Sequence, residues 1–332
     1  MEYNYRIFLP WTEYAEIMYA DLENLDNVRM VKMPFNRGVL GRLIKKIFII
    51  YFYSRLSKYL PFKKVWNQLL FNERIEDAHK LCFVFFMSDL YPTRKCFFKY
   101  LKNRYNGCKL VMYFEDIVKS REKNGKNHLD FETLKEYFDM VISYDRSDSE
   151  KYGYLYFPTP YSRIELQSDD NMGKSDVFFC GLAKDRFQTI AEVYDKCLEF
   201  NLNCDFTVIN LPSNNQISNG IRYKTGSITY SDYLKHLKNT FCILDINQKG
   251  ASGYSLRVWE ALVYGKILIT NNAKIKNEPF YDPEQFLYFE SISDIRPDFF
   301  DKSKIMKPRY IEELSPKKMI SFIDEKLNKT EL

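Results

Sequence analysis

The sequence predicts an α/β protein built as two Rossmann-like domains, each organised around a parallel sheet. Three observations carry this expectation. Apolar strand-like runs alternate with helix-period segments along the chain, the pattern of βα units. The alternation breaks once, where Phe157-Pro158-Thr159-Pro160 is followed by the polar run Gln167–Asp176. The chain has 332 residues, more than the ~100–200 that one core usually organises. The expected division is residues 1–168, residues 169–314 and a closing helix over 315–332.

In the first half, Tyr5–Phe8 reads as a strand, Thr12–Leu22 as a helix, Arg29–Met33 as a second strand and Val39–Tyr59 as a long helix. Leu81–Phe86 is apolar at every position, as a central parallel strand buried on both faces should be. Thr93–Asn103 follows as a helix, Lys109–Phe114 as a strand, Phe131–Phe138 as a helix, and Met140–Tyr144 closes the series. After the break come strand Val177–Cys180, helix Phe187–Phe200, strands Asp205–Ile209 and Ile221–Tyr223, and helix Tyr230–Asn239. Strand Phe241–Ile246 leads into a Gly/Ser loop, a helix and strand Ile267–Thr270, and Ser315–Leu327 is the closing helix. In such sheets, ligands bind outside the carboxyl ends of the strands.

Composition narrows the classes. With 27 Phe and 26 Tyr, the cores should be large and aromatic. No apolar run reaches the ~20 residues that span a bilayer. The start, MEYNYRIFLP, carries Glu2 early and does not read as a secretory signal. Seven cysteines, an odd number, are scattered through apolar runs. They read as reduced core thiols in a cytoplasmic protein. Metal-ligand spacing is missing: the three histidines are His79, His128 and His236, and there is no Cys-x-x-Cys, His-x-x-x-His or Asp-x-Asp. Asp169-Asp170 lies in a polar stretch and reads as solvated linker.

The most informative stretch is Gly250–Thr270, reading GASGYSLRVWEALVYGKILIT. Leu256, Trp259 and Leu262/Val263 form an apolar helical stripe, with Arg257 and Glu260 together to one side. Gly253 permits close backbone approach to a ligand, Tyr254 follows it in the loop, and Ser252 or Ser255 can cap the helix. A helix start beside an arginine suits a diphosphate. A carboxylate one turn in, Glu260, suits a ribose diol because it accepts two hydroxyl hydrogen bonds.

This stretch resembles the donor-binding motif of bacterial glycosyltransferases with GT-B architecture. It is most similar to capsular and lipopolysaccharide biosynthesis enzymes that read S-G-x-[ST]-x-R-x-x-E, matched here by Ser252, Gly253, Ser255, Arg257 and Glu260. Glu260, Ala261 and Gly265 also fit the second half of a Glu-x7-Glu pattern, with Ser252 where the first Glu would stand. Two further segments are similar to the same group: Val141–Tyr161, which resembles the end of the first domain, and Asp176–Arg186, which resembles the first strand and turn of the nucleotide domain. The resemblance implies two Rossmann-like domains facing a central cleft, with a nucleotide-sugar in the C-terminal one and an acceptor in the N-terminal one. It implies synthesis of capsule, exopolysaccharide or lipopolysaccharide on a saccharide or lipid-linked acceptor, at the inner face of the cytoplasmic membrane. Cofactor and metal are not required in this reading, since a helix dipole and basic side chains neutralise the diphosphate. Ser252 in place of Glu leaves retention or inversion open. It also keeps a second class in play, a catalytically silent scaffold subunit.

Sugar transfer needs a group to take the acceptor proton and cations to stabilise the leaving diphosphate. For the second task the candidates are Lys184, Arg186, Lys249 and Arg257, with Gly181 allowing close approach. For the first they are the acids that follow strands: Asp89, Glu115, Asp116 and Asp145. Asp116 and Asp89 are the preferred pair, while Asp145 before RSDSEKYG suits a helix cap. One further feature stands apart. From Asn27 to Asn72 there is no Asp or Glu, while ten Lys and Arg are interleaved with aromatics. Arg42, Lys45 and Lys46 lie beside an apolar helical face there. Such a segment reads either as an interfacial membrane contact or as a solvated surface helix. Nucleic acid is not expected, because no recognised motif accompanies the patch.

Overall fold

The computed structural model describes residues 1–10, 12–31, 41, 43–44, 46–47, 50, 61–86, 92–117, 136–165, 172–217, 220–248 and 253–330. Two compact units emerge: Met1–Ser162 with Glu313–Leu332, and Arg163–Glu312. Each contains a six-stranded, fully parallel sheet.

In the first unit the strands are β1 (Asn4–Phe8), β2 (Val28–Met30), β3 (Leu81–Phe86), β4 (Lys109–Phe114), β5 (Met140–Ser143) and β6 (Leu155–Tyr156), in the order β2-β1-β3-β4-β5-β6. The described helices are α1 (Glu13–Met18), α2 (Lys63–Leu70), α3 (Pro92–Arg104), α4 (Arg146–Tyr152) and the C-terminal α8 (Pro316–Thr330). All six residues of β3 are buried, as its unbroken apolar run requires. Local chemistry sets the helix starts. Thr12 caps α1 by accepting from the Ala15 amide, and Asp145 caps α4 by accepting from the Asp148 amide. The core is aromatic. Phe8 stacks on Phe85 at 4.7 Å, and Phe71 meets Phe83 edge-on at 5.2 Å. The start of the chain is pinned by α8: Asp324 accepts from the amides of Glu2 and Tyr3 and from the Tyr5 hydroxyl at 2.8–3.2 Å.

The second unit has β7 (Ser175–Leu182), β8 (Cys204–Ile209), β9 (Arg222–Lys224), β10 (Thr240–Asp245), β11 (Ile267–Thr270) and β12 (Phe286–Tyr288), in the order β12-β11-β10-β7-β8-β9. Its helices are α5 (Phe187–Glu199), α6 (Tyr230–Lys238) and α7 (Leu256–Tyr264). From β7 the chain builds β8 and β9 on one side, then returns to place β10, β11 and β12 on the other. The strand order therefore reverses between β7 and β10, and ligands bind at such a point in open parallel sheets.

Three elements were not anticipated. β6 and β12 have two and three residues, too short to show a period, and both lie at sheet edges. Helix α2 falls inside the basic window and starts after Phe62, which has a left-handed backbone. Most of the expected helix Val39–Tyr59, and 131–135 of the expected helix Phe131–Phe138, lie outside the described residues. All seven cysteines are free thiols in this structure. Among the described residues no helix is long and apolar enough to cross a membrane.

Candidate functional site

The reversal point of the second sheet gathers polar groups that its strands alone do not require. At the carboxyl end of β7 lies Gly181, and at the end of β10 lies Asp245. The helices following these strands start there: Arg186 precedes α5, and Ser255 caps α7 by accepting from the Arg257 amide. Two helix N-termini thus follow adjacent strands of the sheet, and each favours negative charge.

Two guanidinium groups converge on Gly181. A Cβ built on this glycine would lie 2.9 Å from Arg257 Nη2 and 4.0 Å from Arg186 Nη2. Arg257 Nη2 donates to the Cys180 carbonyl at 2.6 Å, and the guanidinium lies over the Phe179 ring at 5.2 Å. Its Nη1 is 3.7 Å from Asp245 Oδ1. Arg186 donates to the carbonyls of Ile246 and Leu182. Both arginines keep a buried Nε–H with no acceptor among the described residues. Burial and the neighbouring Arg257 charge push the Arg186 pKa down to about 10. Asp245 is fully buried, and it accepts from Ser255 Oγ at 2.7 Å and Thr270 Oγ1 at 3.3 Å. Two adjacent half-buried cations facing one such carboxylate, with donors to spare, make a site that favours an anion.

Other sequence candidates fall differently. Glu260 was read as a carboxylate open to a ribose diol. It is 1 % exposed, and both its oxygens accept from α6: Oε1 from the Tyr230 hydroxyl at 2.8 Å and Oε2 from the Tyr233 hydroxyl at 2.6 Å. A diol reaches Glu260 by displacing two tyrosines, since 258–262 of α7 are all buried. Burial raises the Glu260 pKa, against the tyrosine hydrogen bonds and Arg257 that favour the carboxylate. Tyr254 is buried, with its ring edge-on to Trp259 and Phe280 and its hydroxyl donating to Glu278 at 2.7 Å, so it packs α7. Gly253 is buried beside it. Lys184 is exposed and donates to Gln248 at 2.7 Å. Lys249 and Ser252 lie outside the described residues.

In the first unit Asp116 follows β4, and its Oδ1 accepts from the next amide, Ile117 N, at 3.0 Å. Its neighbour Glu115 accepts from Tyr19 at 2.7 Å. Asp89, Arg42 and Lys45 are outside the described residues, while Lys46 is exposed. No group of three or more His, Cys, Asp or Glu placed to hold a metal occurs among the described residues. Sequence reading missed Asp245, Thr270, Tyr230 and Tyr233. An acid inside the apolar run Phe241–Ile246 was a visible sign of the first.

No protein-family model and no curated protein matches the chain. Solved structures are similar in fold. An α-glucosyltransferase in complex with UDP-glucose and DNA containing an abasic site is matched over 96 % of this chain and 99 % of its own, at a TM-score of 0.53 and 10 % identity. A protein from Listeria monocytogenes described as a UDP-N-acetylglucosamine 2-epimerase is matched over 98 % of this chain and 97 % of its own, at a TM-score of 0.50 and 9 % identity. The chain spans 55 % of the length of TarM, at a TM-score of 0.46 and 12 % identity, too distant to bear on the fold. The two full-length likenesses and the paired parallel sheets give the fold class as α/β with GT-B architecture, two Rossmann-like domains in one chain.

The Glu260 cluster gives a direct expectation. Glu260→Ala strands two buried tyrosine hydroxyls, so it should destabilise the protein by about 2–4 kcal/mol in urea unfolding. A change below about 0.5 kcal/mol would show that the cluster does not hold α6 against α7.

Proposed function

We propose that the chain is a glycosyltransferase that binds a nucleotide-sugar in its second unit. The observation that carries this reading is the pair Arg186 and Arg257 over Gly181, with two buried Nε–H groups lacking acceptors among the described residues. The diphosphate of a nucleotide-sugar offers the acceptor oxygens and the negative charge the pair lacks. The same charges stabilise it as it leaves, when the sugar's anomeric carbon transfers to the acceptor oxygen. Donor binding here uses the arginine forks and the starts of α5 and α7, with Gly181 leaving room. The GT-B fold supports this at the level of architecture, and it also hosts nucleotide-sugar enzymes of other chemistry, so the site rather than the fold bears the reading.

Arg257→Lys keeps the charge but loses the planar fork. It should weaken UDP or GDP binding by about 10- to 150-fold, equivalent to about 1.5–3 kcal/mol. Gly181→Ala should weaken it by about tenfold with the fold intact, because its Cβ displaces the Arg257 end group. Calorimetry with the four diphosphates or monophosphates UDP, GDP, dTDP and CMP checks both. Undiminished affinity in Arg257→Lys would remove the arginine pair from the reading. Binding without turnover of any donor would favour the scaffold alternative.

We also propose that the acceptor is a lipid-linked saccharide on the inner leaflet of the cytoplasmic membrane, in surface polysaccharide synthesis. The acid-free window supports this. Within it α2 carries Lys63 and Lys64 and exposes Val65 and Leu69, and Phe62 just before it is exposed too. Each basic residue near an anionic leaflet contributes about 1 kcal/mol. The protein should therefore sediment with phosphatidylglycerol vesicles and release in 1 M salt, where the Debye length falls to about 3 Å. Equal binding to neutral vesicles, or none to either, would leave this surface without a lipid role.

A further inference from the structure

Three of the seven cysteines gather towards the amino end of the second sheet, away from the donor site. Cys204 opens β8, Cys242 is the third residue of β10, and Cys197 lies in the last turn of α5. Helix α5 packs on β8, and all three side chains belong to one apolar core. The link from helix to strand turns back at once: Asn201 has a left-handed backbone, and the Leu202 amide donates to the Cys197 carbonyl at 3.1 Å. This return brings Cys197 to Cys204, and the two thiols share a hydrogen bond. Strand register excludes Cys242 as a partner for Cys204. Val177 of β7 is paired with Cys204 on one side and with Cys242 on the other. The two are thus two strand spacings apart, about 10 Å, beyond the ~7 Å that a disulfide spans.

The two thiols of the pair differ in access. Cys197 is fully buried, and Cys204 is half-buried. The hydrogen bond to Cys204, and then burial, hold the Cys197 thiol far above its ordinary pKa. Burial does the same to Cys242. An oxidant arriving from solvent therefore meets Cys204 first, with the Cys197 thiol waiting behind it. A reachable cysteine beside a resolving thiol is the arrangement that turns a reversible oxidation into a disulfide.

We propose that Cys204 and Cys197 form a reversible disulfide, a redox lock that ties the end of α5 to the start of β8. The oxidant is a hydroperoxide. The Cys204 sulfur attacks its terminal oxygen, the O–O bond breaks, and Cys204 becomes a sulfenic acid. The thiol proton of Cys204 goes to the leaving oxygen, which departs as alcohol or water. The Cys197 sulfur then attacks the Cys204 sulfur, and the S–O bond breaks. The hydroxide that leaves takes the Cys197 proton and becomes water. Two thiols are oxidised and one peroxide is reduced. A dithiol reverses the bond by exchange. Arg186 lies eleven residues back, roughly 16 Å along the helix, so the effect of the lock is read in stability. A cross-link that closes this short loop constrains the unfolded chain and raises stability.

The test treats the purified full-length protein with hydrogen peroxide, blocks the remaining thiols with iodoacetamide and maps tryptic peptides by mass. Cleavage after Lys196 and Arg222 leaves Cys197 and Cys204, and no other cysteine, in one peptide. After oxidation that peptide should carry no adduct and be lighter than its reduced form by two hydrogens. Dithiothreitol before blocking should restore both adducts. In Cys197→Ala, dimedone should label Cys204 at least about tenfold more than in wild type, because the resolving thiol is gone. In Cys204→Ser, Cys197 should stay reduced. On oxidation the melting midpoint should rise by about 3–8 °C in wild type, and should not rise in Cys204→Ser. Half-buried Cys96, in the first unit, sets the peroxide dose. Three results would overturn the proposal: both thiols still open to iodoacetamide at a dose that oxidises Cys96, Cys204 cross-linked to the peptide that carries Cys242, or an oxidised wild type that melts no higher than the reduced one. The wild-type peptide map decides the matter without the variants, so a variant that fails to fold leaves the test intact.

Discussion

Two guanidinium groups held side by side over a glycine are the constraint on which the second unit is built. Charges of one sign in a partly dry site repel, and the Arg186 pKa is depressed first by burial and then by that repulsion. The arrangement persists because each arginine is fastened by carbonyls at strand ends, Cys180 for Arg257 and Leu182 and Ile246 for Arg186. Asp245 offsets part of the charge from the neighbouring strand. Gly181 matters for what it lacks: any side chain there would meet Arg257 Nη2.

Further ties fix the helix that presents Arg257. Ser255 caps α7 and donates to Asp245, and Thr270 on the next strand donates to the same carboxylate. One turn further on, Glu260 joins α7 to α6 through two tyrosine hydroxyls. A buried carboxylate with both oxygens satisfied is strongly held, and removing one partner exposes the full cost of its burial. Arg257 and Glu260 therefore have separate tasks. One reaches β7 and the reversal point, and the other locks helix to helix.

The architecture was legible because long apolar runs and helical stripes carry strong periodic signals. β3, β4, β10 and α7 stand almost where the pattern puts them. The two- and three-residue strands β6 and β12 were not legible, since pairing to a neighbour, not local sequence, makes them strands. At the site, Gly181, Arg186 and Arg257 were named from sequence because a turn after an apolar strand announces itself. Glu260 was read as facing a ligand because its partners, Tyr230 and Tyr233, are about 30 residues away on another helix. Spacing on one helix cannot show what packs against it.

The central claim is that the paired arginines form a diphosphate site. Its most direct test compares the affinities of uridine, UMP and UDP, and of guanosine, GMP and GDP, for the same protein by calorimetry. The account predicts that for one base the diphosphate binds at least about tenfold more tightly than the nucleoside, a difference of about 1.4 kcal/mol or more. It predicts also that this preference disappears in Arg186→Gln. Nucleoside and diphosphate binding with equal affinity, or a preference that survives the loss of Arg186, would contradict it.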